Sequence, residues 1–319
     1  MPRLVVFADR DRAGSWTTLA HALRTLGLAD ARVVTLADDP ALAWPHDIAE
    51  VFDGGQELGH LVRTADLLVF VDVLPDELGL FDGMLAARAR DGRTGVLVQC
   101  DHAPTPLRAH AIARAVGREG WSLATTRPPC TTLAAAGARF LAPFVPWWRA
   151  PLLPLAAGTR LRLRRNERIV YASSTTPLRE QPLLEGWIDR AEQVAAVAPG
   201  VRVEIMTARG HAAVAQRRRR AHLVLAGAGI GRTALEAMAQ GVPTVAQLDD
   251  DERAAWTKLA GTPPPVVAPD ALEQAITELV PTAEPNLALR RWVGRAADPH
   301  QWLRACEAWL ARRPHARAA

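Results

Sequence analysis

The chain of 319 residues is short of several things, and each shortage narrows what it can be. It has three cysteines, Cys100, Cys130 and Cys306, far apart and without a CxxC spacing. An odd, scattered set argues against a disulfide framework and against a zinc site, and points to a reducing cytoplasm. No apolar run approaches the ~20 residues that a membrane-spanning helix needs. The opening MPRLVVFADRDRAG has an apolar run of about six residues followed at once by acids, so it reads as a first strand and not as a signal peptide. Lysine is nearly missing. Lys258 is the only one, and arginine carries the positive charge, as a GC-rich genome would produce. No DxD-like pair stands in a metal-binding context. Asp249-Asp250-Asp251 follows an apolar strand and reads as a charged loop cap, so no metal is expected.

Hydrophobic residues make up 49% of the chain, enough for a substantial core. At roughly 150 residues per domain, the length suggests two domains. Charge divides between them. Residues 1–150 hold 15 basic and 17 acidic residues, a net of −2, and residues 151–319 hold 23 and 17, a net of +6. The second half would therefore attract an anionic ligand.

Strand and helix signals alternate along the first half. RLVVFA (Arg3–Ala8), Arg32–Leu36, DLLVFVDV (Asp66–Val73), GVLVQC (Gly95–Cys100) and WSLAT (Trp121–Thr125) read as strands, several of them continuously apolar as in strands buried on both faces. Helical spacing appears over Trp16–Leu26, Leu80–Arg90, Leu107–Gly117 and Thr131–Arg139. The proline-rich FLAPFVPWWRAPLLPLAAG (Phe140–Gly158) has no periodicity and reads as a connector. The rhythm resumes with strands at Arg168–Ser173, Arg202–Met206, His222–Ala226 and Pro265–Val267. Helices are expected at Leu183–Val197, Gly210–Arg219, Asp270–Val280 and Pro299–Arg312. In the last of these, Trp302, Cys306 and Trp309 form one apolar stripe. The expected fold class is α/β, with two Rossmann-like parallel-sheet domains facing a cleft. The expected division is a first domain over residues 1–145, a linker over 146–166, a second domain over 167–298, and a helix over 299–319 returning to the first.

The stretch AGAGIGRTALEAMAQGVPTVAQLDDD (Ala226–Asp251) carries the most chemistry. Three readings compete. As a dinucleotide turn, Gly227, Gly229 and Gly231 follow a strand and open a helix, with Asp249 placed 22 residues after Gly227 to take a ribose hydroxyl. That pattern wants a glycine where the chain has Arg232. As plain packing, the glycines only relieve a tight strand–helix turn. As a nucleotide-diphosphate site, Glu236 accepts ribose hydroxyls, N–H groups at the helix start hold the diphosphate, and Arg232 neutralises it.

GIGRTALEAMAQGVPTVA resembles the nucleotide-sugar signature of glycosyltransferases with the two-Rossmann (GT-B) architecture. The likeness is greatest to the broad, mostly retaining group whose pattern runs E-G-x-G-x-x-x-L-E-A-M-A-x-G-x-P. That resemblance implies a metal-independent enzyme moving a sugar from a nucleotide-diphosphate sugar, with no separate cofactor. It implies that Glu236 binds the donor's ribose, among donor contacts at Gly229, Gly231, Arg232 and Thr233. The family's other glutamate, eight residues earlier, is Ala228 here. RIVYASSTTPLR implies donor contacts at Arg179 and Ser173, with Ser173-Ser174 standing where the family has Gly-Arg. GVLVQCDHAPT implies a histidine facing the donor sugar, His102; if the reaction inverts, His102 or Asp101 would serve as general base. Gly14 falls where the family has a glycine turn after the first strand, close to donor phosphate and acceptor, which implies a donor contact there too.

Further positions have weaker reasons behind them. Asp9 and Arg10, after the first strand, are candidate acceptor contacts, and His211 a candidate base contact. The run Arg217–Arg220 lacks interleaved aromatics and reads as a solvated face rather than a nucleic-acid site, with weak association to an anionic surface, such as the inner face of a membrane, as its other use. The acceptor stays open between polysaccharide, lipid, small molecule and nucleic acid. The alternatives to a transferase are a non-catalytic nucleotide-binding protein of the same fold and, less favoured, an NAD-dependent oxidoreductase.

Overall fold

The computed structural model describes residues 1–8, 15–35, 55–78, 83–91, 94–100, 104–143, 167–174, 178–207, 211–279, 286–298, 300–302, 304–305 and 308, and the account below concerns these. They form two compact units. The first takes the described residues of Met1–Asp39, Trp44–Phe144 and Pro299–Ala319, the second those of Val145–Asp298.

The first unit is built on six strands: β1 (Arg3–Ala8), β2 (Asp30–Thr35), β3 (Leu67–Val71), β4 (Gly95–Cys100), β5 (Ser122–Thr125) and β6 (Arg139–Phe140). Their order across the sheet is β2-β1-β3-β4-β5-β6, and every pair is parallel. Both faces are covered, which is why β3 reads LLVFV without a polar residue and is buried throughout. The helices are α1 (Ser15–Thr25), α2 (Gly55–Thr64), α3 (Met84–Arg90), α4 (Pro106–Glu119) and α5 (Thr131–Ala135). On one face Trp16, Leu19 and Leu23 of α1 pack onto Leu4, Val6, Val69 and Leu97. Trp302 and Ala305, from the far end of the chain, join the same cluster, and the Trp302 ring meets Trp16 edge-on at 5.8 Å. On the other face Phe7 and Phe70 stack at 5.4 Å beside Leu58, Val62 and Leu85.

The second unit holds β7 (Arg168–Ser174), β8 (Val201–Thr207), β9 (Leu223–Ala228) and β10 (Thr244–Gln247), in the parallel order β10-β9-β7-β8. Val267 adds a single parallel bridge beside Val245, where a full strand was expected. Its helices are α6 (Pro182–Val197), α7 (His211–Arg218), α8 (Arg232–Ala239), α9 (Asp250–Ala260), α10 (Leu272–Thr277) and α11 (Leu287–Ala296). Counted from its own first strand, this sheet repeats the order that opens the first. Each therefore has a reversal of strand order, between β1 and β3 and between β7 and β9. Ligands of open parallel sheets bind beyond the carboxyl ends of strands at such a point.

Several boundaries differ from expectation for visible reasons. The helix expected over Thr131–Arg139 stops at Ala135. Gly137, at φ +80°, turns the chain, and Arg139–Phe140 then become the edge strand β6. Helices α2, α9 and α11 were not foreseen. Two of these begin on a side-chain cap: Asp249 Oδ1 accepts the Glu252 N–H at 2.7 Å, and Asn286 Oδ1 accepts the Ala288 N–H at 3.0 Å. Among the described residues no helix is long and apolar enough to cross a membrane.

Tyr171, the chain's only tyrosine, lies in the middle of β7 among Ile169, Val224, Ala237 and Val242. Burial pushes its phenol up to about 12 from the usual 10. The native state thus binds this proton more tightly than the unfolded chain does. Stability from this group should be complete below pH 10 and be lost as pH rises from 10 through 12. Ultraviolet titration of tyrosinate absorbance checks this: ionisation of the native protein near pH 10 would contradict the burial.

Candidate functional site

The carboxyl end of β9 is a turn that only glycine tolerates. Gly227 and Gly229 lie at φ +83° and +72°, in the left-handed region. A Cβ added at Gly229 would stand 2.8 Å from the Glu252 Oε1 of α9, the end of a side chain that can swing aside. The Gly229 N–H donates to the Gln247 carbonyl at 2.8 Å. The β9–β10 register shifts between Val245 and Gln247, a strand irregularity of the kind that re-aims side chains beside sites. Gly231, with extended backbone, then caps α8.

Behind this turn α8 is almost wholly interior, and it carries a buried ionic network. Glu236 is 2% exposed, Arg218 1% and Arg232 8%. Arg232 Nε donates to Glu236 Oε1 at 2.7 Å, one helical turn along. Arg218, the last residue of α7, donates from Nη2 to the other oxygen, Glu236 Oε2. Arg218 Nε also donates to Gln240 Oε1 at 3.0 Å, and Gln240 Nε2 donates to the Ala215 carbonyl at 3.1 Å. Side chains of α7 and α8 are thereby locked together beneath the glycine turn.

The sequence placed the Glu236 carboxylate on a ribose; the structure turns it inward, with each oxygen accepting from a guanidinium. Arg232, expected to face phosphate, gives its Nε to Glu236. Gly229, Gly231 and Thr233 lie where expected, in the turn and the first turn of α8, with Gly231 and Thr233 half-buried. Ser173 is half-buried at the end of β7, the strand next to β9. Arg179 is exposed in a single 3-10 turn, Leu178–Glu180, that follows β7. Ala228, the last residue of β9, is exposed. The aspartates are not a loose loop cap: Asp249 caps α9, and Asp250 and Asp251 form its first turn, where acids favour the helix dipole. Asp249 is thus engaged otherwise than as the ribose acid of a dinucleotide site. His102, Asp101, Gly14, Asp9 and Arg10 lie outside the described residues, as does the His211 side chain. So do Cys306 and Trp309 of the expected apolar stripe.

Three contributors escaped sequence reading: Arg218, Gln240 and Glu252. Arg218 was concealed in a four-arginine run that reads as a solvated face, and Arg217 does remain near the surface, 3.7 Å from Glu204. The signal that finds Arg218 is its place three residues after the buried Ala215, on the inner face of α7.

No protein-family model and no curated protein matches the chain. Solved structures do match it in fold. Alr3699/HepE of Anabaena, in complex with UDP and glucose, superposes with a TM-score of 0.63 at 13% identity, covering 98% of this chain and 100% of its own. A glycosyltransferase from Rickettsia africae gives 0.58 at 10% identity, covering 97% and 98%. MnaA of S. aureus, with UDP, gives 0.51 at 10% identity, covering 94% and 92%. The chain has the two-Rossmann GT-B fold.

Replacing Glu236 by glutamine leaves two buried guanidiniums without their anion. The variant should lose about 3–5 kcal/mol of stability, the usual cost of breaking a buried pair from one side. Urea unfolding measures it, and an unchanged midpoint would contradict the network.

Proposed function

We propose that this chain transfers a sugar from a nucleotide-diphosphate sugar, with the donor held at the carboxyl end of the second sheet. One observation carries the reading: a glycine turn beside the strand-order reversal opens into a helix whose start is seated on a buried ionic lock. Three features support it further. The sequence from Gly229 to Ala246 resembles the nucleotide-sugar signature. The second half of the chain is basic. Two of the solved structures sharing the fold are complexes with UDP, one of them with UDP and glucose.

In this reading the N–H groups at the start of α8 receive the diphosphate, which gathers negative charge as the bond to the anomeric carbon breaks. Gly229, Gly231 and Thr233 supply the close backbone approach, and Ser173 and Arg179 approach from the end of β7. Glu236 is a positioning residue. It orients Arg232 and fixes the pitch of α8, and the ribose is bound by other groups. The reaction needs no metal. Where the reaction inverts, Asp101 or His102 removes the acceptor's proton; where it retains configuration, His102 contacts the donor sugar.

The exposed Ala228 favours a second reading, in which the chain binds a nucleotide but transfers nothing, because the family's first glutamate is absent. Two measurements separate these outcomes from each other and from an oxidoreductase. Thermal shifts with UDP, GDP, dTDP and NAD should respond to a nucleoside diphosphate, and a response to NAD alone would remove both readings. Gly229→Ala should abolish that response, since φ +72° opposes a side chain there and the turn must change to admit one. Slow hydrolysis of a sugar nucleotide by the native chain, absent in Gly229→Ala, identifies the transferase. Binding without turnover identifies the non-catalytic protein.

A further inference from the structure

Strands β2 and β8 hold the same place in their units: each is the second strand in sequence and the outermost of its sheet. Their surroundings differ. Four of the six residues of β2 are buried, so that edge is covered. None of the seven residues of β8 is buried, and Arg202, Ile205 and Thr207 are exposed. Ile205, 43% exposed, is among the large apolar side chains left in water. Among the described residues β7 is the only strand beside β8. The open side of such a strand presents a row of N–H and C=O groups that another strand can complete.

The side chains of β8 alternate between two environments. Val201 and Val203 pack toward α6, in the cluster of Leu184 and Ile188, and Ile205 follows them on that face. Arg202 and Glu204 point the other way, toward α7, where Arg217 Nη1 stands 3.7 Å from Glu204 Oε2. Arg202 pairs with Glu204 and, at 3.3 Å, with Glu167 Oε1. The side chains of Arg202 and Arg217 are half exposed, so their guanidiniums can change partner at little cost. Sheet edges are commonly guarded by charges that repel a second strand. One charge of each sign, two residues apart, does the opposite for a reversed copy of the same strand.

We propose that β8 is the docking edge for a second copy of this chain, joined antiparallel about a two-fold axis at Val203, so that two four-stranded sheets become one continuous sheet. The charges set the register. A two-fold axis perpendicular to the sheet keeps every side chain on its own face. With that axis at Val203, Arg202 meets Glu204 of the second copy, Glu204 meets its Arg202, and Val201 meets its Ile205. An axis at Arg202 or at Glu204 sets like charges opposite each other. An axis at Ile205 sets Glu204 against Met206 and leaves Arg202 without an acid. Opposed unlike charges and apolar pairs favour a register, and like charges oppose it. The edge offers its hydrogen bonds to any extended peptide, but the charges select a strand carrying the opposite order, which β8 itself is when reversed. Such a contact uses the same patch on both copies and closes on itself, so assembly stops at the dimer. Antiparallel pairing also points the carboxyl ends of the two sheets in opposite directions, and the glycine turn of each copy stays open. The inference does not depend on the transfer reading.

Sedimentation velocity and hydrogen exchange on the intact chain test this. One strand pair buries less than a standard interface, so a weak dimer is expected, with a Kd of about 1–100 µM. Exchange over Val201–Thr207 should slow as the concentration rises, and exchange over β2 should not. Arg202→Glu and Glu204→Arg each set like charges opposite one another and should weaken the dimer roughly tenfold or more. The double variant exchanges the two signs and should recover most of the lost affinity. Ile205→Lys, on the other face, should weaken the dimer even if the charge variants fold poorly. The inference is overturned by a monomer at every concentration, by a dimer that all three single variants leave unchanged, or by a double variant no better than the singles. Protection that appears elsewhere while β8 exchanges freely overturns it too, as does growth into larger species, since that contact would not close.

Discussion

The second unit depends on a carboxylate that cannot reach water. Taking Glu236, Arg218 and Arg232 out of solvent costs several kcal/mol per ion, and their attraction repays that only with close geometry and additional hydrogen bonds. Both conditions are visible. Each carboxylate oxygen has its own guanidinium, and Gln240 carries the chain of bonds on to the backbone of α7. An apolar cluster of the same volume would give similar stability with less demand on position. What the ionic cluster adds is direction. It ties the start of α8, the end of α7 and a side chain a turn beyond Gly231 into one arrangement, which a greasy interface allowing small slips would not do. The glycine turn is consequently a loop on a fixed base, tethered on its other side by Gln247.

The two sheets share a strand order but differ in what they hold at their carboxyl ends. The second presents backbone N–H groups, a helix start and guanidinium charge. The first buries amide and hydroxyl groups there, at Thr35, Gln99 and Thr125, beside an aspartate in the left-handed region, Asp72.

Much of the architecture could be read from the sequence. Continuous apolar runs such as LLVFV mark strands buried on both faces, and the spacing of Leu19 and Leu23 marks the inner face of α1. What was illegible was tertiary. A glutamate in a glycine-turn helix looks like a ligand until its neighbours are known, and Arg218, the neighbour that captures it, is distant in the sequence and hidden in a basic run. Asp249 looked like a loop acid because its capping bond, to the N–H of Glu252, is invisible without the turn it closes. Gln99 drew no attention in GVLVQC, since one amide at the end of an apolar strand is ordinary until its surroundings prove to be Val71 and Ala124.

Trp302 belongs to the core of the first unit although more than a hundred residues of the second precede it in the chain. That unit is therefore discontinuous. A fragment ending after Leu141 would retain all six of its strands yet bare the flank of Trp16 that the indole of Trp302 covers. Dissection at the connector would yield a sticky half-core. An independently soluble first unit calls for the distal segment to be grafted back, or for Trp16 to be made polar.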